Sequence, residues 1–303
     1  FTRDTTMASG SSLRFLVLLL LMSSVALSAC SPRHLLVKNA ADALASQGQS
    51  DEEDIALARE ASAFYFKLSE SLLRESPGHV KLAESVASGL TQYAYAFVAF
   101  EAEQLGTSDA HAAHKLNERA RRLYLRAHRH AMTALEQSSP GFRAALSQSD
   151  KRLWPRIDPT QLNMAYWAAA SWGAAIALSK DDPDAVADLP LAVRLATLAW
   201  QTAPQHSEGA LASLLGSFES ARPGGSRELT TKYFDDAISA SAGNNAGPYV
   251  AKAESIALSA GDRPQFEMLL KQALRIAEKR TDLASQVMHQ RATWLLRSAD
   301  DLF

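Results

Sequence analysis

A single cysteine in 303 residues means that no disulfide can form within this chain, so the fold must be held by packing alone. No apolar run approaches the roughly 20 residues that a membrane-crossing helix requires. Charge of neither sign dominates: 31 basic residues stand against 33 acidic ones, a net of −2, which gives no footprint for a nucleic-acid partner. Glycine and proline are scarce, at 14 and 11 residues, and cluster between periodic segments instead of interrupting them. Alternating strand-like patterns are nearly absent, which argues against a sheet. There is no Gly-x-Ser-x-Gly elbow, no Walker-type phosphate loop and no Gly-rich dinucleotide turn following a strand, so the chain does not read as an enzyme and calls for no cofactor.

What is present begins at the N-terminus. Arg14 precedes the apolar run Phe15 to Met22, and the segment ends on Leu27-Ser28-Ala29-Cys30. This is the charged-then-apolar order of an export signal, too short to span a bilayer. Leu-Ser-Ala-Cys resembles the lipobox of bacterial lipoproteins, in which the cysteine is acylated and the chain is cut before it. Residues 1–29 are therefore read as a signal peptide, with Met7 as the expected translation start and Cys30 as the lipidated first residue of the mature chain. Cleavage after Ala29 by an ordinary signal peptidase is the alternative. A free exported thiol with no partner is a liability, which favours lipidation. Ser31 stands where an aspartate would favour inner-membrane retention, so the expected location is the outer membrane, facing the periplasm. Cleavage removes Arg3, Arg14 and Asp4, leaving 29 basic and 32 acidic residues in 274, a net of −3.

Residues 30–49 read as a linker and 50–303 as one all-α domain. Ser50-Asp51-Glu52-Glu53 has the form of a capping box opening a helix with Ile55, Ala58, Ala61, Tyr65, Leu68 and Leu72 on one face. Long helices are expected over about 80–105 and 109–137, with Ser76-Pro77-Gly78 and Ser139-Pro140-Gly141 as stops. Further helices are expected at about 158–179, 184–202, 206–220, 226–241, 246–260, 263–278 and 282–298. Pro77, Pro140, Pro204 and Pro264 recur 63, 64 and 60 residues apart, which suggests duplicated helical units. Small and aromatic residues in Ala61-Ser62-Ala63-Phe64-Tyr65 and in the run Arg119 to Ala127 give these units the flavour of degenerate tetratricopeptide repeats with long helices. The rival architecture is an irregular helical bundle.

Several blocks then resemble one known family in order along the chain. They are Gly89-Leu90-Thr91-Gln92-Tyr93-Ala94-Tyr95-Ala96-Phe97 with Glu101-Ala102-Glu103, and Ala120-Arg121-Arg122-Leu123-Tyr124-Leu125-Arg126-Ala127. Tyr166-Trp167-Ala168-Ala169-Ala170-Ser171-Trp172-Gly173, Ser179 to Pro183, Arg291-Ala292-Thr293-Trp294-Leu295-Leu296 and Asp301-Leu302-Phe303 follow. The chain is similar to the TatT lipoproteins associated with TRAP transporters, the tripartite ATP-independent periplasmic uptake systems. The resemblance implies a helical array of cryptic tetratricopeptide-like motifs, a tunnel in each protomer, assembly as a homotrimer, and work with the transporter's periplasmic solute-binding protein. Contact with the membrane is expected through the lipid anchor only.

Two groups of residues stand out as functional candidates. Tyr93, Tyr95 and Phe97 on one helix, and Tyr166, Trp167 and Trp172 on another, are either core aromatics or the wall of a ligand tunnel. Arg119, Arg122 and Arg126, with Arg129, form a ladder that is either a solvated face or a surface for an acidic partner. His111, His114 and Glu118 could share a face as metal ligands, but a closed site would need further ligands from other helices that nothing in the sequence requires, and surface residues near a helix start are the default reading. Gly224-Gly225-Ser226 is read as either an anion-binding turn or a simple N-cap. The expected function is a binding and adaptor component of an uptake system. A scaffold for envelope-assembly proteins is the rival, and a helical metalloenzyme a third reading.

Overall fold

The computed structural model describes residues 31–46, 54–106 and 108–303, and among them every regular element is a helix. Cys30, the signal segment and the capping-box residues Ser50 to Glu53 lie outside the described residues. The elements are α1 (Ser31–Ser46), α2 (Ile55–Glu75), α3 (Val80–Tyr93), α4 (Phe100–Leu105), α5 (Ala110–Ser138), α6 (Phe142–Leu146) and α7 (Leu162–Ala177). They continue as α8 (Pro183–Ala187), α9 (Leu189–Thr202), α10 (Ala210–Ala221), α11 (Arg227–Ala240), α12 (Ala246–Lys252), α13 (Arg263–Ala277), α14 (Leu283–Arg297) and α15 (Ala299–Leu302).

Short polar residues start these helices. The side chains of Asp54, Asp109, Asp182, Ser226, Asn245, Asp262 and Asp282 each accept a hydrogen bond from a backbone N–H of the first turn. That satisfies donors which have no partner within the helix. Asp158 and Gln161 form a reciprocal capping box around Pro159, which delays α7 to Leu162. Four differences from the sequence reading have local causes. The expected linker contains α1, which packs on α2 and α3 and buries Ala41 completely. The helix expected at 184–202 is two helices, because Pro190 sits in the first turn of α9 and the chain breaks at Asp188. The helix expected from 206 begins at Ala210, since Ser207, Glu208 and Gly209 take left-handed backbone angles (φ 48°, 54° and 80°). The buried face of α2 is Ala58, Phe66, Ser69, Glu70 and Leu73, while Ala61 and Leu68 are exposed and Phe64 is 72% exposed. The rotation follows from an ion cluster that draws Glu70 inward, described below.

Consecutive long helices pack side by side, α2 on α3, α3 on α5, α5 on α7, α7 on α9, α9 on α10 and α10 on α11. Short connections make such neighbours antiparallel. Glycines set the closest crossings. Phe66 of α2 lies over Gly89, Phe218 of α10 over Gly173, and Phe234 of α11 over Gly216, each ring occupying the space a Cβ would take. One hydrophobic core runs from α1 to α10 and a second from α12 to α15. The array then returns on itself: α14 touches α2, and Trp294 meets Phe100 edge to face, ring centroids 5.5 Å apart.

Candidate functional site

Two stretches of the array leave α-helical register. After Tyr93 the backbone widens into a π-helical turn (Ala94–Ala99) before resuming as α4, and after Lys252 it does so again (Ala253–Ala257). A π-turn inserts one residue and shifts every later side chain around the helix axis. Tyr95 lies in the first of these turns and Glu254 in the second, and both face the same residue, Arg291 of α14.

Arg291 is 7% exposed. Its Nε donates to Glu254 Oε2 at 3.1 Å, and its Nη2 donates to Glu254 Oε1 and to Glu103 Oε2, both at 2.7 Å. The guanidinium lies 5.5 Å from the ring centres of both Tyr95 and Phe100. Burial opposes its charge, but Tyr95, Glu254 and Glu103 around it hold it protonated well above the ordinary arginine range. Such a fork-to-fork pair fixes geometry as well as charge.

The groups around Arg291 combine depth with access to water. Burial pushes the Tyr95 hydroxyl up to about 12, yet the residue is 36% exposed. Burial also raises Glu103, against the pull of Arg291, although its side chain is 41% exposed. Tyr166 is raised by burial while only partly covered, and Tyr124, 3% exposed, is raised by burial and by the neighbouring Tyr95 and Glu103. Desolvation shifts a pKa when many protein atoms surround the group.

The sequence candidates fall into separate places. Tyr93 and Phe97 are buried, their rings 5.5 Å apart, with Phe66 edge-on to Tyr93 at 5.6 Å. Tyr95 points away from that core to Arg291. Tyr166 and Trp167 meet edge to face at 4.8 Å. Trp172 stacks on His128 at 4.4 Å, whose Nδ1 lies 3.1 Å from the Ala168 carbonyl oxygen. Burial lowers His128 to about 4, so the imidazole is neutral at neutral pH. The arginine ladder of α5 divides. Arg119 is exposed, 3.5 Å from the Tyr93 hydroxyl, and Arg122 is exposed beside Glu118. Arg126 instead turns inward, giving both Nε and Nη2 to Glu70, which His130 also approaches at 2.9 Å. His111 and His114 are exposed on the first turns of α5, and Glu118 is engaged by Arg121. Gly224 and Gly225 lead into the Ser226 cap, and a small polar pocket beside them is lined by Arg227, Thr230, Ser220 and Ser255.

Arg291, Glu103 and Tyr124 entered the sequence reading only within the blocks that carry the family resemblance, with no role as site residues, and Glu254 did not enter it. One signal was visible: Val287, Arg291 and Leu295 lie four residues apart, so an arginine interrupts the buried stripe of α14. Its partners, 37 and 188 residues away, carry no local signature.

An uncharacterized protein of Treponema pallidum (strain Nichols) is 28% identical over 267 residues, covering 84% of this chain and 82% of its own length. A family model described as the TRAP transporter T-component matches residues 51–303, from before the first turn of α2 to the last residue. The chain belongs to the TRAP transporter T-component family, a transport-associated component of the cell envelope.

Proposed function

We propose that this chain is the lipid-anchored adaptor of a TRAP-type uptake system, tethered through Cys30 to the outer membrane and facing the periplasm. It docks the periplasmic solute-binding protein and passes a small ligand along the inner surface of the helical array. The observation that carries the ligand path is that Tyr95 and Glu103, desolvated by the protein around them yet partly exposed, both face Arg291, with Tyr166 near enough to Tyr95 to act on it. Tyr166 and its partner Trp167 extend that aromatic lining, while Tyr93, Phe97 and Trp172 support it from the core side. A partly apolar space with a few fixed polar groups is the usual chemistry of a small-molecule site.

For partner docking, the exposed Arg119 and Arg122 of α5 offer cationic contacts to an acidic surface. Leu57, Phe64 and Leu68 form an exposed apolar stripe on α2, positioned to be covered in a homotrimer. A lipid anchor is consistent with the helices described here, none of which is long and apolar enough to cross a membrane.

The test is retention from envelope extracts by immobilised residues 31–303, read by mass spectrometry. Recovery of a TRAP-type solute-binding protein is the expected result, weakened when Arg119 and Arg122 are both changed to Glu. Recovery of envelope-assembly proteins in its place would support the scaffold reading. Sedimentation showing only monomer at high concentration would remove the homotrimer.

A further inference from the structure

A cavity of about 170 Å³ opens in the second half of the array, between the turn that joins α10 to α11 and the π-turn that follows α12. Ser220 and Gly225 line it from the end of α10 and the connecting turn, and Arg227 from the first residue of α11. Ser255, Ile256 and Ser259 form the facing wall. One water molecule needs only about 10–15 Å³ of such space, so there is room for a polyatomic group. Among the described residues Arg227 is the one ionisable group that lines the cavity, which is therefore cationic.

The donors that face this space are uncommitted. The guanidinium of Arg227 makes no hydrogen bond or ion pair among the described residues. Glu219, at the same turn, cannot serve it: its carboxylate oxygens each accept from Arg222 at 2.6 Å, and Oε1 also accepts from the Ser226 backbone at 2.7 Å. Glu228 is exposed and does not line the cavity. The hydroxyls of Ser220, Ser255 and Ser259 likewise have no partner among the described residues. Elsewhere in the array Ser71, Ser138, Ser171, Ser179 and Ser217 each return the hydroxyl to the carbonyl four residues earlier. Ser226 is spent on capping Leu229, and Thr230 donates to the Ser226 carbonyl, so neither adds a free donor.

We propose that this cavity is a site for a tetrahedral oxyanion of the phosphate class, held by the Arg227 guanidinium and the hydroxyls of Ser220, Ser255 and Ser259. A guanidinium presents paired N–H donors that match two oxygens of such a group. Hydroxyls from the facing wall meet the oxygens that the fork leaves free. Donors converging from two walls suit a tetrahedral group better than a planar carboxylate, whose two oxygens the fork alone can occupy. The near wall is closely built, since a Cβ on Gly225 would lie 1.9 Å from the Glu219 carbonyl oxygen. The site is separate from the surface around Arg291, although Ser255 and Ile256 share a π-turn with Glu254. The oxyanion has two sources, a free phosphate and the phosphate of a lipid headgroup.

The experiment has two arms on residues 31–303 at pH 7 and constant ionic strength. One is calorimetry with inorganic phosphate; the other is co-sedimentation with vesicles of phosphatidylglycerol in phosphatidylcholine, against phosphatidylcholine alone. Arg227→Gln is expected to weaken binding at least about tenfold and Ser255→Ala about threefold, as for loss of a charged and a neutral hydrogen bond. Arg227 is exposed and unpaired, so its replacement should leave the fold intact, which an unchanged thermal melt checks. Lys180→Gln removes the same charge from an exposed position that does not line the cavity, and binding should stay within about twofold. Arg227-dependent binding of inorganic phosphate supports the site and a soluble source. Arg227-dependent retention by phosphatidylglycerol vesicles, with no heat from inorganic phosphate, supports the site and a lipid headgroup. Binding that survives Arg227→Gln, an equal loss in Lys180→Gln, or no binding in either arm overturns the proposal.

Discussion

Glu70 offers the sharpest test of how the first hairpins are held. It lies on the inner face of α2, 4% exposed, where it accepts two hydrogen bonds from Arg126 and lies 2.9 Å from His130. Burial alone would raise its pKa, but the hydrogen bonds and charges of His130 and Arg126 outweigh burial and bring it to about 2, from an ordinary value of 4.5. At roughly 1.4 kcal/mol per pH unit, that difference is about 3 kcal/mol of stability. The folded-state pKa is depressed, so this contribution is fully present above about pH 4.5 and is lost as the pH falls toward 2. Replacing Glu70 by Gln should therefore cost about 3 kcal/mol at pH 7, within the range for breaking a buried ion pair from one side. Urea unfolding of residues 31–303, followed by helical circular dichroism at several pH values, measures the difference between parent and Glu70→Gln. Other carboxylates titrate in both proteins and cancel, leaving a gap that should close between pH 4.5 and 2. A gap below about 1 kcal/mol at pH 7, or one unchanged down to pH 2, would refute the account. Adding Arg126→Ala to complete a double-mutant cycle should show strong coupling between the two positions.

Other perturbations follow from the same geometry. In Gly173→Ala the new Cβ would sit 2.1 Å from Phe218 Cε1, so the variant should lose about 1–3 kcal/mol in thermal unfolding, and Phe218→Leu in the same chain should recover most of it. Arg291→Ala leaves Glu103 and Glu254 facing one another; a loss of about 3 kcal/mol is expected at pH 7, and a smaller loss in acid would show that the carboxylates are responsible. His128, lowered to about 4 by burial, should show no NMR titration between pH 8 and 5; its unfolded form takes up the proton first, so stability should fall as the pH drops from 6.5 toward 4, and a midpoint near 6.5 would contradict its burial. Asp282→Ala removes the cap that Ser285 N donates to at 3.0 Å and should cost about 1 kcal/mol by urea unfolding.

The helices were legible in the sequence wherever one local rule governed them. Asp109, Ser226 and Asp282 cap where a polar residue precedes an apolar period, and Pro77 and Pro140 end helices where the missing N–H forbids continuation. The reading failed where two rules competed. Leu189 to Thr202 has helical periodicity, but Pro190 needs a first turn, so the helix starts later than its pattern. His206 to Gly209 has the composition of a helix start, yet Gly209 cannot carry a side chain there: a Cβ would meet the backbone of Ala237 at 2.8 Å. On α2 the apolar period pointed Ala61 and Leu68 inward, but the pull of Arg126 and His130 on Glu70 turned the helix. A charge pair between helices leaves no mark in the periodicity of either one.

The inner site was hidden for a related reason, and its position says something about how it works. Tyr95 was visible as one of three aromatics on its helix, but its destination depends on Arg291, far along the chain. Arg291 joins Glu103 of the first core to Glu254 of the second, and Phe100 meets Trp294 across the same seam. The site exists only because the helical array returns on itself and brings α14 to the first hairpins. The π-turn at Ala94–Ala99 matters too, since its extra residue turns the side chains that follow it, Phe100 and Glu103 among them, by about 100° around the helix. A site assembled from both ends of an array is coupled to closure of the whole array. Losing the Arg291–Glu103 contact would therefore act on the seam itself, because that ion pair joins the first core to the second.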